Sequence, residues 1–168
     1  MSLEHTEFGR ILGVLKNGEV QCILIGGLAA IAHGTARATL DVDVVYARKR
    51  ENIRRLATAL APYKPYLRGA PAGLPFKFDE ATVRAGLNFT LRTTLGDVDL
   101  LGEVAGGGTF EQLLPHTESV RLFGLDLVAV TLEKLIQLKR AAGRTKDLEP
   151  IAELQALLEE RKRQKSGG

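Results

Sequence analysis

Ile23-Leu24-Ile25-Gly26-Gly27-Leu28-Ala29-Ala30-Ile31-Ala32-His33-Gly34, followed by Asp41-Val42-Asp43-Val44-Val45-Tyr46, is the stretch on which the reading of this chain turns. Residues 20–25 form a short β-rich run, read as a buried strand. Gly26-Gly27 turns the chain, residues 28–33 make a short helix, and Gly34 ends it. Residues 42–46 are a second strand. A strand that enters a helix through two glycines presents free backbone N–H groups at the helix N-terminus, a natural anion site. Glycine also lets a phosphate come close to the main chain.

Asp41 and Asp43 are one residue apart on the second strand. Alternate strand residues share a face, roughly 7 Å apart, so one face carries the acids while Val42 and Val44 pack the other. Two acids on one face of an apolar strand are costly unless something neutralises them. Mg²⁺ does so with hard carboxylate oxygens, completing its shell with water and phosphate. The other reading of Asp-Val-Asp is a solvated strand edge paired with Arg37. A phosphate held at Gly26-Gly27 can be bridged by metal to the acid pair just downstream, and the combination is more specific than either part. Phosphoryl or nucleotidyl transfer asks for a third acid, to take the proton of an attacking hydroxyl or to complete a two-metal clamp with ions roughly 4 Å apart. Asp97-Val98-Asp99 repeats the same-face spacing. Asp99, followed by Leu100-Leu101, lies deeper in its strand, whereas Asp97 sits at the turn with Gly96. Asp99 is therefore the expected third carboxylate.

The remaining elements follow from periodicity and turn residues. Residues 3–15 carry a helical apolar stripe at Phe8, Ile11, Leu12 and Leu15 and stop at Asn17-Gly18. Residues 51–60 read as a surface helix with Ile53, Leu56, Ala57 and Leu60 inward. Residues 62–75 hold four prolines and two glycines without a period and read as a loop. Residues 87–94 and 98–104 are strands joined by a turn at Leu95-Gly96. Gly106-Gly107-Gly108 is a hinge or turn, and residues 110–114 a helical turn. Residues 120–130, broken at Phe123-Gly124, form a hairpin. Thr131 caps a helix over 131–142 that Gly143 ends, and a last helix spans about 147–163 with Ile151, Leu154, Leu157 and Leu158 buried. The expected fold class is α/β (α+β): a mixed sheet flanked by helices, with a core over 1–130 and a C-terminal helical pair over 131–165 packed on it as one compact unit.

Composition narrows the classes. With 168 residues, 45% of them hydrophobic and 26% charged, the chain is an ordinary globular protein rather than a disordered or fibrous one. A single cysteine, Cys22, excludes an intrachain disulfide. The longest apolar run, residues 22–32, contains two glycines and is too short to span a bilayer. The first residues lack the order of a signal peptide. A cytoplasmic protein that meets no membrane is the expectation. The net charge of +3 comes from the last 38 residues, with 9 bases against 6 acids. Much of that excess is Arg161-Lys162-Arg163-Gln164-Lys165, a basic helix end.

Gly26 to Gly34, Arg37, Thr39 and Asp41-Val42-Asp43 resemble the signature of the DNA polymerase β-like nucleotidyltransferase superfamily. The resemblance is closest to the small bacterial branch that includes the AbiEii-type toxins of toxin–antitoxin systems. Gly96-Asp97-Val98-Asp99-Leu100-Leu101 is similar to the superfamily's third-carboxylate strand. Thr131-Leu132-Glu133-Lys134-Leu135-Ile136, Lys139, Arg144 and Lys146-Asp147-Leu148 are similar to the C-terminal helical signature of the same branch. The resemblance implies a nucleoside triphosphate bound with Mg²⁺, attacked at its α-phosphate by an acceptor hydroxyl with release of pyrophosphate. Gly26 and Gly27 would hold the triphosphate, with Arg37, Thr39 and Lys139 as further nucleotide-binding residues. Asp41, Asp43 and Asp99 would be the catalytic and metal-binding acids. The implied acceptor is an RNA such as tRNA or a protein, and a toxin-type enzyme implies an antitoxin partner. Many members have Gly-Ser where this chain has Gly26-Gly27, so Gly27 offers an N–H where they offer a hydroxyl.

Several residues carry two readings. His33 caps its helix, packs in the core or serves as a base. Arg37 holds a phosphate or pairs with an acid, and Thr39 orients the strand entrance. Lys139 reaches the triphosphate or snorkels to solvent. Arg144 and Asp147 pin the last two helices together. Arg48-Lys49-Arg50 with Arg54-Arg55 is a solvated face or a landing surface for a polyanion. The rival to the enzyme is a degenerate nucleotide-binding or regulatory module of the same fold without transfer activity. A metal-dependent phosphohydrolase ranks last, since none of His5, His33 and His116 adjoins an acid pair.

Overall fold

The computed structural model describes residues 7–36 and 41–167. Arg37 and Thr39, and the expected start of the first helix, lie outside the described residues. The chain runs α1 (Glu7–Asn17), β1 (Cys22–Ile25), α2 (Gly26–His33), β2 (Val42–Tyr46), α3 (Arg50–Leu60), β3 (Tyr66–Leu67), α4 (Glu80–Ala85), β4 (Phe89–Thr93) and β5 (Gly96–Leu101). It continues with β6 (Glu103–Val104), β7 (Gly108–Thr109), α5 (Phe110–Leu113), β8 (Thr117–Leu122), β9 (Leu125–Val130), α6 (Leu132–Ala142) and α7 (Leu148–Ser166). Seven strands form one mixed sheet in the order β3-β4-β5-β2-β1-β9-β8, while β6 and β7 pair separately.

The middle of the sheet is apolar. Ile23, Leu24, Val42, Val44, Val45, Tyr46, Val98 and Leu100 are at most 2% exposed, each contributing roughly 1.5–3 kcal/mol of burial if large and aliphatic. Helix α1 turns Ile11, Leu12 and Leu15 into this core, and α3 adds Ile53, Leu56 and Leu60. Helix α6 packs against α2 and α7. Its ends follow the sequence: Thr131 accepts a bond from Lys134 N at 3.2 Å, and Gly143 takes φ 65°. The hairpin of β8 and β9 turns through Phe123 (φ 53°) and Gly124 (φ 76°), the paired left-handed conformations that suit a two-residue turn.

Three segments differ from the sequence-based expectation. The stretch over 62–75 is not all loop: Tyr66 and Leu67 pair with Arg92 and Leu91 and extend the sheet by one strand. The strand expected over 98–104 breaks at Gly102, beyond which Glu103 and Val104 pair with Thr109 and Gly108. Helix α4 was not anticipated, because a six-residue helix that buries only Val83 has no stripe to read. It starts at Asp79, whose carboxylate accepts from Thr82 N at 2.9 Å. Among the described residues no helix is long and apolar enough to cross a membrane.

Candidate active site

Strand pairing assembles the acids. Strand β1 runs antiparallel to β2 with Ile25 opposite Asp43, and β2 runs parallel to β5 with Asp43 opposite Asp99. Asp41, Asp43 and Asp99 each bring one carboxylate oxygen to within 4.8 Å of the other two. Asp97 belongs to the same strand face but turns elsewhere. Its Oδ2 lies 3.1 Å from Arg68 Nε, and its Oδ1 3.8 Å from Arg92 Nε.

Gly26 begins α2 directly against this cluster. It has φ +69°, and a Cβ at that position would overlap Asp43 Oδ2. The first glycine of the pair is therefore demanded by the acid as well as by the turn. Burial, and then the charges of Asp41 and Asp99, push the Asp43 carboxyl up to about 8. Asp41 is also raised, first by burial and then by Asp99, with Arg68 acting in the opposite direction. Three converging carboxylate oxygens are a donor set that could hold a hard divalent cation.

The acids form one wall of a cavity of about 610 Å³. Gly26 and Gly27 line it beside them, and Lys139, Arg144 and Lys146 line it from α6 and the turn that follows. Lys139 is neither free in solvent nor isolated in the core. Its Nζ lies 3.8 Å from Asp147 Oδ1 with only 14% of the side chain exposed. Arg144 Nε lies 2.6 Å from Asp147 Oδ2. Arg144 and Asp147 thus form a pair within the short turn entering α7, on the cavity wall, rather than a clasp between two helices. Asp147 itself is 4% exposed. The charge of Arg144 reaches Asp43, whose carboxyl it pulls down against the larger upward pressures.

His33 is core. Its Nε2 donates to Val130 O at 2.7 Å, and Arg161 donates to His33 O at 2.7 Å, tying α7 to the end of α2. The basic run at 48–55 divides. Arg48 folds inward, donating to Tyr46 Oη at 2.6 Å and to the carbonyls of Val83 and Arg84. Arg54 and Arg55 pair with Glu51 on the surface.

Sequence reasoning missed Arg68. This residue follows β3 and lies 2.9 Å from Asp99 Oδ1 and 3.8 Å from Asp41 Oδ2. The only available signal was that three or four clustered acids require a counter-charge; no local motif says which arginine supplies it.

No protein-family model matches the chain, and no curated protein does. Solved structures share its architecture. The lincomycin-bound structure of the lincosamide antibiotic adenylyltransferase LnuA superposes with a TM-score of 0.60 at 14% identity, over 90% of this chain and 96% of that one. A proposed nucleotidyltransferase from Thermotoga maritima, TM1012, superposes with a TM-score of 0.54 at 15% identity, over 86% of this chain and 88% of that one. At such identities the likeness is one of fold, and the fold of this chain is that of the nucleotidyltransferases.

Proposed function

We propose that the chain is a Mg²⁺-dependent enzyme that transfers a nucleoside monophosphate from a nucleoside triphosphate to an acceptor hydroxyl. One observation carries the reading. Three carboxylates from two neighbouring strands meet beside the N-terminus of α2, across one cavity from Lys139, Arg144 and Lys146. Asp41, Asp43 and Asp99 would hold the cation, which when bound neutralises phosphate charge. The N–H groups at Gly26 and Gly27 would donate to phosphate oxygens, aided by the helix N-terminus. Lys139, Arg144 and Lys146 would bind the polyphosphate tail and stabilise the charge that builds on departing pyrophosphate. The acceptor oxygen bonds to the α-phosphorus as the bond to the bridging oxygen breaks, and the hydroxyl proton passes to a carboxylate, for which Asp99 is the candidate, and then to water. Positioning and charge neutralisation supply most of the acceleration.

The finer reading is a cytoplasmic, toxin-type enzyme with an RNA such as tRNA or a protein as acceptor, opposed by an antitoxin. The support for it is the likeness of residues 26–43 and 131–148 to the AbiEii-type branch. The test is incubation with each labelled triphosphate, Mg²⁺ and total cellular RNA. Label in RNA or in the protein itself, lost in Asp43→Asn, supports the enzyme and defines the acceptor class. Triphosphate that binds while no label moves to any acceptor favours the regulatory module instead.

A further inference from the structure

Arg68 reaches from the end of β3 across β4 to the acids of β5. Nη2 lies 2.9 Å from Asp99 Oδ1, Nε 3.1 Å from Asp97 Oδ2 and Nη1 3.8 Å from Asp41 Oδ2. Nη2 also donates to Leu91 O at 2.9 Å, which anchors the guanidinium to the neighbouring strand. One cation thus serves two members of the acid triad and a third carboxylate beside them. Its side chain is 22% exposed, so solvent screens it only in part.

Two further observations define what it does there. Arg68 is not among the residues lining the cavity of Gly26, Gly27 and Lys139. It meets the acids from the β3–β4 edge of the sheet, whereas the residues assigned to phosphate come from the start of α2, from α6 and from the turn after it. Moreover, Arg68 Nε and Asp99 Oδ1 lack a well-aligned hydrogen bond despite the short distances. Charge, rather than a bidentate fork, holds the group in place.

Building on the reading of the triad as a cation site, we infer that Arg68 is an internal counter-cation that sets the affinity of that site. Its fixed charge weakens the hold of Asp41 and Asp99 on a divalent ion, so tight binding requires the nucleotide's phosphates as additional ligands. The magnitudes favour charge over positioning. A unit charge within a few ångström of a dication alters its binding by about tenfold even at the dielectric of water. Releasing two torsions of a short side chain on a paired strand costs about threefold. Removing Arg68 therefore strengthens cation binding, the opposite of what loss of a merely structural brace would do.

The experiment is calorimetric titration of the full chain with Mn²⁺, with and without ATP, for the parent, Arg68→Met, Arg68→Gln and Arg68→Lys, with circular dichroism on each. Without ATP, Arg68→Met and Arg68→Gln are expected to bind Mn²⁺ about tenfold more tightly than the parent, and Arg68→Lys to match the parent because it keeps the charge. ATP should tighten Mn²⁺ binding in the parent more than in Arg68→Met. The inference is overturned if a folded, charge-removing variant binds Mn²⁺ no better than the parent, or if Arg68→Lys gains as much as Arg68→Met. Mn²⁺ binding to the parent that survives Asp43→Asn instead overturns the cation site itself, and this role with it.

Discussion

The main chain of Gly26 and the carboxylate of Asp43 adjoin so closely that no side chain fits between them. Gly26 sits at φ +69°, and a Cβ there would overlap Asp43 Oδ2. Pairing of Ile25 with Asp43 across β1 and β2 forces this approach. The strand register that builds the sheet therefore also places the start of α2 against an acid.

Gly26→Ala is accordingly expected to harm the site more than the fold. A left-handed backbone costs an L-residue about 1–2 kcal/mol, and the added methyl must push the Asp43 carboxylate aside. Urea unfolding should show a loss of about 2 kcal/mol, while Mn²⁺ affinity in the presence of nucleotide falls by at least about tenfold. Parent-like Mn²⁺ affinity in a folded Gly26→Ala protein would show that Asp43 does not need its present position.

The raised Asp43 carboxyl gives a pH dependence of definite sign. In the unfolded chain an aspartate loses its proton near pH 3.9, whereas in the fold Asp43 keeps it to about 8. Between those values the native state holds the extra proton, so without metal its stability falls as pH rises through that window. A divalent cation requires the ionised form, so it displaces the proton below pH 8 and meets no such competition above. Thermal melts should show a larger stabilisation by Mg²⁺ at pH 8.5 than at pH 6, and Asp43→Asn should flatten both trends.

Much of this site was legible because its residues sit on short-range patterns. The apolar run ending in Gly26-Gly27 and the two Asp-Val-Asp repeats announce strands with one charged face, and pairing of β2 with β5 brings those faces together. Arg68 was not legible. It lies in a proline- and glycine-rich stretch, and the two-residue strand that aims it is defined by pairing with Leu91 and Arg92, more than twenty residues away. Arg48 misled for a related reason. A run of basic residues suggests a solvated face, but Arg48 finds its carbonyl partners on α4, an element with no periodic signal of its own. The pairing of Lys139 with Asp147 depends on how the chain turns after Gly143, which spacing along the sequence does not reveal.

Asp147 should matter to stability as well as to the cavity. Its buried carboxylate lies 2.6 Å from Arg144 Nε and 3.8 Å from Lys139 Nζ. Asp147→Ala leaves Lys139 without its counter-charge in a largely buried position, while the half-exposed Arg144 recovers solvation. A loss of about 2 kcal/mol is expected, below the range for a fully buried pair. Urea denaturation measures it, and a change within about 0.5 kcal/mol would show that the pair contributes nothing net.

Asn52 supplies a control remote from the acids. It is 2% exposed. Its Oδ1 accepts from Gln21 N at 2.6 Å, and its Nδ2 donates to Gln21 O at 3.0 Å and to Ala47 O at 2.7 Å. It fastens α3 to the segments flanking β1 and β2. Asn52→Ala takes the side-chain partner from Gln21 N and Ala47 O, while Gln21 O keeps its bond from Ala47 N, and should cost about 2 kcal/mol in unfolding experiments, with unaltered Mn²⁺ affinity in the protein that remains folded.

The most direct measurement is a crystal structure of the chain grown with Mn²⁺ and a non-hydrolysable nucleoside triphosphate, read by anomalous scattering. The account predicts a manganese peak bonded to oxygens of Asp41, Asp43 and Asp99, with the phosphates running from the start of α2 towards Lys139 and Arg144. A peak bound elsewhere, or phosphates seated outside this cavity, would contradict it.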